Sequence, residues 1–122
     1  VGGGGIPAFY VEPNKLQGID AVIDKDLASS LLAKQIGADK LFILTDVAKV
    51  CLNYNTPQEK VIDRMTIATA KRYLAEGQFA EGSMAPKIRA AIDFVENTGK
   101  DAIITKTTLL GVDDGGTRIV MV

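Results

Sequence analysis

Two solid apolar runs, Leu41-Phe42-Ile43-Leu44 and Ala102-Ile103-Ile104, constrain this chain most. Each sits between segments with helical spacing. A run without polar alternation is expected of a strand covered on both faces, which points to a parallel sheet flanked by helices. Residues 27–36 carry Leu27, Leu31, Leu32 and Ile36 at helical spacing, with Gly37 as the stop. Residues 66–76 read as a second helix closed by Gly77. Residues 84–97 read as a third, with Ile88, Ala91, Ile92 and Val95 on one face and Gly99 after it. Short strands are expected at 21–23, 41–44, 61–65, 102–105 and 117–122, an edge strand or extension at 50–55, and a turn at 113–116. Alternating strands and helices predict an α/β fold, a three-layer sandwich with a mainly parallel sheet and helices on both faces. At 122 residues the chain is one domain or part of one.

Composition narrows the chemistry. Fourteen basic and fifteen acidic residues nearly cancel, so there is no basic field of the kind that drives nonspecific nucleic-acid binding. No segment approaches the roughly 20 apolar residues that span a bilayer. Cys51 is the only cysteine, which fits a reducing cytoplasm. There is no histidine, which removes any triad with a His base and leaves no support for a zinc site.

Open parallel sheets bind ligands beyond the carboxyl ends of their strands. That rule selects Asp24-Lys25-Asp26, then Thr45-Asp46-Val47, then the loop after Thr105. Helix starts favour anions because their first N–H groups are unpaired and carry partial positive charge. Two expected helix starts carry Lys25 and Asp26, and Ser83 to Lys87. Lys25 and Lys87 would surround a moving phosphoryl group with charge, and Asp26 would hold both and could also orient Mg2+. Lys25 and Asp26 as a solvated pair worth well under ~1 kcal/mol is the other reading. Thr45 and Asp46 line a nucleoside pocket or simply make a turn. Tyr54 and Met84 offer flat or soft contact to a purine, or fill the core. Gly2 to Gly5 let backbone approach a small anion closely, or form a flexible linker. Ser83 and Pro86 cap and start a helix in either case. No Gly-x-x-x-x-Gly-Lys-Ser/Thr loop occurs, and no Gly-x-Gly-x-x-Gly lies between a strand and a helix.

Taken together, several stretches closely resemble the carbamate kinases. These are Val1-Gly2-Gly3-Gly4-Gly5-Ile6-Pro7, Ala21-Val22-Ile23-Asp24-Lys25-Asp26-Leu27-Ala28-Ser29, Leu44-Thr45-Asp46-Val47, Leu52-Asn53-Tyr54 with Thr56-Pro57, and Glu81-Gly82-Ser83-Met84-Ala85-Pro86-Lys87. Ala102 to Thr105 and Gly116 to Val120 fit as well. The resemblance implies an amino-acid-kinase fold and a cytoplasmic, homodimeric phosphotransferase. Such an enzyme interconverts carbamoyl phosphate and ADP with carbamate and ATP, the ATP-yielding step of arginine breakdown in fermenting organisms. It implies ATP/ADP with Mg2+ as cofactor, and no protein metal ligands. By position, Lys25, Asp26 and Lys87 are the catalytic group, and Gly3, Gly4 and Gly5 lie near the carbamate. Thr45, Asp46, Val47, Tyr54, Ser83 and Met84 line the nucleotide pocket.

Two departures stand out. Family members commonly have Asp-Gly after Thr-Asp-Val and a Tyr shortly beyond. Here Ala48-Lys49 and Cys51 take those places. The family's chain is also more than twice as long, with a further glycine loop and lysine in its first half. The resemblance therefore implies that residues 1–122 are the nucleotide-binding C-terminal part, inactive alone. A kinase of the same fold such as acetylglutamate kinase, or a non-catalytic nucleotide-binding domain, are the competing expectations.

Overall fold

The computed structural model describes residues 2–122. Strands β1 (Ala8–Glu12) and β2 (Lys15–Gly18) form an antiparallel hairpin. Helix α1 (Lys25–Gln35) leads to β3 (Leu41–Thr45). A small antiparallel pair, β4 (Cys51–Leu52) and β5 (Lys60–Val61), follows. Then come β6 (Arg64–Thr66), α2 (Ile67–Ala75), α3 (Met84–Thr98), β7 (Ala102–Lys106) and β8 (Gly116–Val120). The main sheet runs β3-β7-β8-β6. Its outer pairs are parallel and its central pair, β7 with β8, is antiparallel. The α/β class and the mainly parallel sheet are as the sequence predicts.

Helix α3 packs against both α1 and α2 and lies over β3, β7 and β8. The three helices therefore form one layer on one face of the sheet. Of the three layers expected, the described residues build this helix layer and the sheet. The core lies between them, with Ile88, Phe94, Val95, Ile104 and Ile119 fully buried. Each such side chain contributes about 1.5–3 kcal/mol relative to exposure. Gly99 ends α3 in a left-handed conformation at φ 70°, its N–H donating to the Val95 carbonyl at 2.8 Å.

Several local expectations are corrected. Strand β3 is not covered on both faces: Leu41 and Ile43 are buried under the helices, while Phe42 and Leu44 are each 40% exposed. Residues 21–23 form no strand, because no strand among the described residues pairs with them, and Val22 stands exposed. The strand expected over 50–55 stops at Leu52, since Asn53 and Asn55 turn to φ 49° and 60°. The strand expected at 61–65 divides between β5 and β6, which pair with different partners. The leucine stripe of α1 does not enter the core. Leu27, Leu31, Leu32 and Ile36 are exposed, and Asp26, Ser30 and Ala33 are the buried residues. The β1–β2 hairpin was not expected.

Candidate functional site

Strands β3 and β7 run parallel, so the starts of α1 and α3 meet beyond the carboxyl ends of those strands. Asp24 caps α1, its Oδ1 accepting from the N–H groups of Asp26 and Leu27, both at 2.9 Å. This arrangement fixes the first turn and orients the two residues after the cap. Lys25 Nζ donates to Asp26 Oδ1 at 2.8 Å, and Lys87 Nζ donates to Asp26 Oδ2 at 2.9 Å. Two ammonium groups thus share one carboxylate. The side chains of Asp26 and Lys87 are 11% and 12% exposed, whereas that of Lys25 is half open to solvent. Burial alone would raise the Asp26 carboxyl, but the hydrogen bonds from Lys25 and Lys87 outweigh it and hold the group below the ordinary carboxylate value. The Asp26 carboxylate holds the Lys25 ammonium above its ordinary value. The unit is a fixed positive centre with one open face.

The helix starts themselves differ from expectation. Asp24 already occupies donors at the start of α1. At α3 the N–H groups of Ser83 and Ala85 both donate to the Ala80 carbonyl, Pro86 has no N–H, and the Ser83 hydroxyl makes no cap bond. Positive charge for an anion therefore comes mainly from the lysine side chains.

Of the glycines, Gly2 and Gly4 lie near the start of α1. Gly2 borders the same depression as Lys25 and Asp26, about 390 Å³ in volume and floored by β3. A Cβ on Gly4 would stand 2.2 Å from the Ile23 carbonyl oxygen, just before the cap of α1. Gly3 faces open space, and Gly5 takes φ 95°.

A second cavity, about 240 Å³, opens where β3 ends and α3 begins. Thr45, Asp46, Val47, Tyr54, Ser83 and Met84 all line it. Tyr54 is 63% exposed, so it is not core filler, while Met84 also packs against the core. Lys87 lies one helical turn past Ser83 and Met84 on α3, although neither it nor Lys25 lines this cavity. Lys49, Gln78 and Phe79 also line the cavity and were not selected from the sequence. Gln78 and Phe79 directly follow the Gly77 stop, and their place in the loop before α3 was the available signal. Cys51 lines it too; burial, with Glu59 nearby, pushes its thiol above the ordinary value, which leaves a poor nucleophile.

No group of three or more His, Cys, Asp or Glu side chains is arranged to hold a metal ion among the described residues. Both oxygens of Asp26 already accept from ammonium groups. These side chains do not fit a protein-held Mg2+ site. No helix among them is long and apolar enough to cross a membrane.

Residues 6–106 match the amino acid kinase family. The chain belongs to that family. Among the relatives of this chain, the carbamate kinase of Thermoplasma volcanium is 57% identical over 105 residues, covering 86% of this chain and 34% of the relative. A carbamate kinase-like protein of Escherichia coli is 52% identical over 104 residues, covering 85% of this chain and 33% of that protein. The structure of the carbamate kinase from Giardia lamblia bound to AMP-PNP superposes with a TM-score of 0.88 at 46% identity, over 96% of this chain and 38% of that one. The chain thus spans about a third of the length of the curated relatives it matches.

Proposed function

We propose that residues 1–122 are the nucleotide-binding, C-terminal part of a carbamate kinase that transfers a phosphoryl group between carbamoyl phosphate and ADP, giving carbamate and ATP. The observation that carries this reading is the pair of ammonium groups held by Asp26, one helical turn from a cavity lined by every residue expected to bind nucleotide. The similarity to carbamate kinases, one of them bound to AMP-PNP, supports the choice of substrate and nucleotide. The apolar surface left open on α1 and β3 supports a partial domain, since a complete domain rarely exposes so much.

Phosphoryl transfer asks for positioning and for positive charge where negative charge spreads over the moving group. Lys87 contacts the phosphate chain and the transferred group. Lys25, more open to solvent, faces the carbamoyl phosphate side. Asp26 sets the separation of the two ammonium groups without reacting. Gly3, Gly4 and Gly5 let backbone approach the carbamate, and the 45–47 loop with Tyr54, Ser83 and Met84 holds the nucleoside. Mg2+ brought in with the nucleotide would neutralise charge on its phosphates, the usual arrangement where protein carboxylates are few. The whole protein is a cytoplasmic homodimer serving ATP formation from arginine breakdown.

The test is a coupled assay on the full-length enzyme. ATP forms from carbamoyl phosphate and ADP, while acetylglutamate and UMP are not phosphorylated. Absence of ATP formation overturns the assignment. Turnover by the isolated 122-residue chain overturns the partial-domain reading.

A further inference from the structure

Helices α1 and α3 lie side by side and run in the same direction. Asp26 meets Lys87 near their starts, Ser30 and Lys34 meet Asp93 midway, and Lys100 meets the Gly37 carbonyl and Asp39 just past their ends. The buried residues of α1 are Asp26, Ser30 and Ala33, while Leu27, Leu31, Leu32 and Ile36 are 41–70% exposed, which limits apolar interlocking with its neighbour. Interlocking side chains are what normally oppose sliding between packed helices. Here the polar contacts must do so. The end contact is weak, because Asp39 is nearly fully exposed. The middle contact is stronger. Ser30, fully buried, donates to Asp93 Oδ2 at 2.7 Å, and Lys34 Nζ donates to the same oxygen at 2.7 Å. Asn97 Nδ2 donates to Asp93 Oδ1 at 3.1 Å and turns the carboxylate toward α1.

Resting on the carbamate kinase reading above, we propose that Asp93 is a positioning residue. By gripping Ser30 and Lys34 it sets the register of α1 against α3, and so keeps Asp26 within reach of Lys87. Asp93 touches no substrate. A slide of about 1 Å would break the 2.9 Å bond between Asp26 and Lys87, and misplacements of that size cost up to about 100-fold in rate. The nucleotide cavity takes none of its lining from α1, so it should not sense the slide.

The experiment compares Asp93→Asn and Ser30→Ala with wild type in the full-length enzyme. It measures kcat, KM for ADP, the acid limb of the kcat profile, and the Asp26 carboxyl titration by 13C NMR. Both variants should lose about tenfold or more in kcat with KM for ADP within about twofold. Asp26 is faced by Lys25 and Lys87, with Asp24 nearby. Weakening its bond to Lys87 should raise its titration and move the acid limb upward. A fall in stability alone, with kcat per folded enzyme and the Asp26 titration unchanged, overturns the proposal. So does a rise in KM for ADP that matches the loss in kcat. Ser30→Ala, which only shortens a side chain, keeps the claim testable if Asp93→Asn fails to fold. A wild-type enzyme that forms no ATP would sink the functional reading instead, and the Asp26 titration would still decide the register claim.

Discussion

Lys87 donates to Asp26 at 2.9 Å across 61 residues of sequence, at the one point where the starts of α1 and α3 meet. Two helix starts lying side by side would repel an ammonium group placed between them. The Asp26 carboxylate offsets that field and holds the lysine in place, nearly shielded from water. The cost of taking both charges out of water is considerable, and such pairs rarely add much net stability. In the proposed reaction their value would lie in a geometry that needs no rearrangement when charge develops on a substrate.

That geometry makes Lys87 the residue whose loss should affect rate most. Lys87→Met keeps the aliphatic stem and removes the charge. In the full-length enzyme it should slow ATP formation by about 100-fold or more, the usual cost of losing one electrostatic stabiliser. ADP affinity should fall much less, since the cavity at residues 45–47 is untouched. Steady-state kinetics with equilibrium ADP titration checks both. Normal turnover in Lys87→Met would show that this ammonium group does not stabilise the transferred phosphoryl group.

Stability should fall on the acid side. Burial pushes the carboxyls of Asp26 and Asp93 up, yet hydrogen bonds from lysines, with Ser30 helping at Asp93, hold both below the ordinary 3.8. A group with a depressed folded value contributes stability above its unfolded value and loses it as pH falls through the folded one. Urea midpoints should therefore be flat from neutral pH to about pH 5 and drop steeply toward about pH 2. Asp26→Asn should make that drop shallower. An unchanged acid slope in the variant would show that Asp26 is not held as described.

Much of this was legible in the sequence, and the rest failed for identifiable reasons. The helix starting beside Asp24 and the helix ended by Gly99 follow from capping chemistry, which is local. The meeting of Lys25, Asp26 and Lys87 follows from the rule for strand ends once the parallel pairing of β3 and β7 is granted. The β1–β2 hairpin has a faint local signal, Phe9-Tyr10-Val11 followed by Pro13-Asn14, and Asn14 does take φ 65°. The outward leucines of α1 were not legible. Helical spacing shows that a face is apolar, but what covers it depends on packing, and the α1–α3 contact is built from Ser30, Ala33 and Asp93 instead.

The glycine segment offers a position-by-position test. A methyl on Gly3 meets nothing within 4 Å, whereas one on Gly4 would stand 2.2 Å from the Ile23 carbonyl oxygen and 2.8 Å from its carbon. Backbone must move to admit it, and Ile23 immediately precedes the cap of α1. Gly4→Ala should cost about 1–3 kcal/mol in stability and lower kcat/KM for carbamoyl phosphate at least tenfold. Gly3→Ala should be near neutral in stability. Equal effects at the two positions, by denaturant titration and kinetics, would contradict the contact.

A last prediction concerns the wall of the cavity between β3 and α3. Thr117, fully buried on β8, accepts from the Val50 N–H at 2.8 Å and donates to the Ile62 carbonyl at 2.6 Å. One hydroxyl thereby ties both ends of the excursion that carries Cys51 and Tyr54 to the main sheet. Val50 N–H has no strand partner of its own, although Ile62 N–H returns to the Val50 carbonyl at 2.9 Å. Thr117→Val keeps the shape and strands a buried donor and a buried acceptor, so it should destabilise by about 2–4 kcal/mol. The 51–61 segment should loosen most, read as faster amide exchange there than in α3. ADP should bind several-fold more weakly, because Tyr54 and Cys51 lose their anchor while the lysine centre stays intact. Amide exchange that rises uniformly across the sheet would show that Thr117 supports the core at large and has no particular hold on this wall.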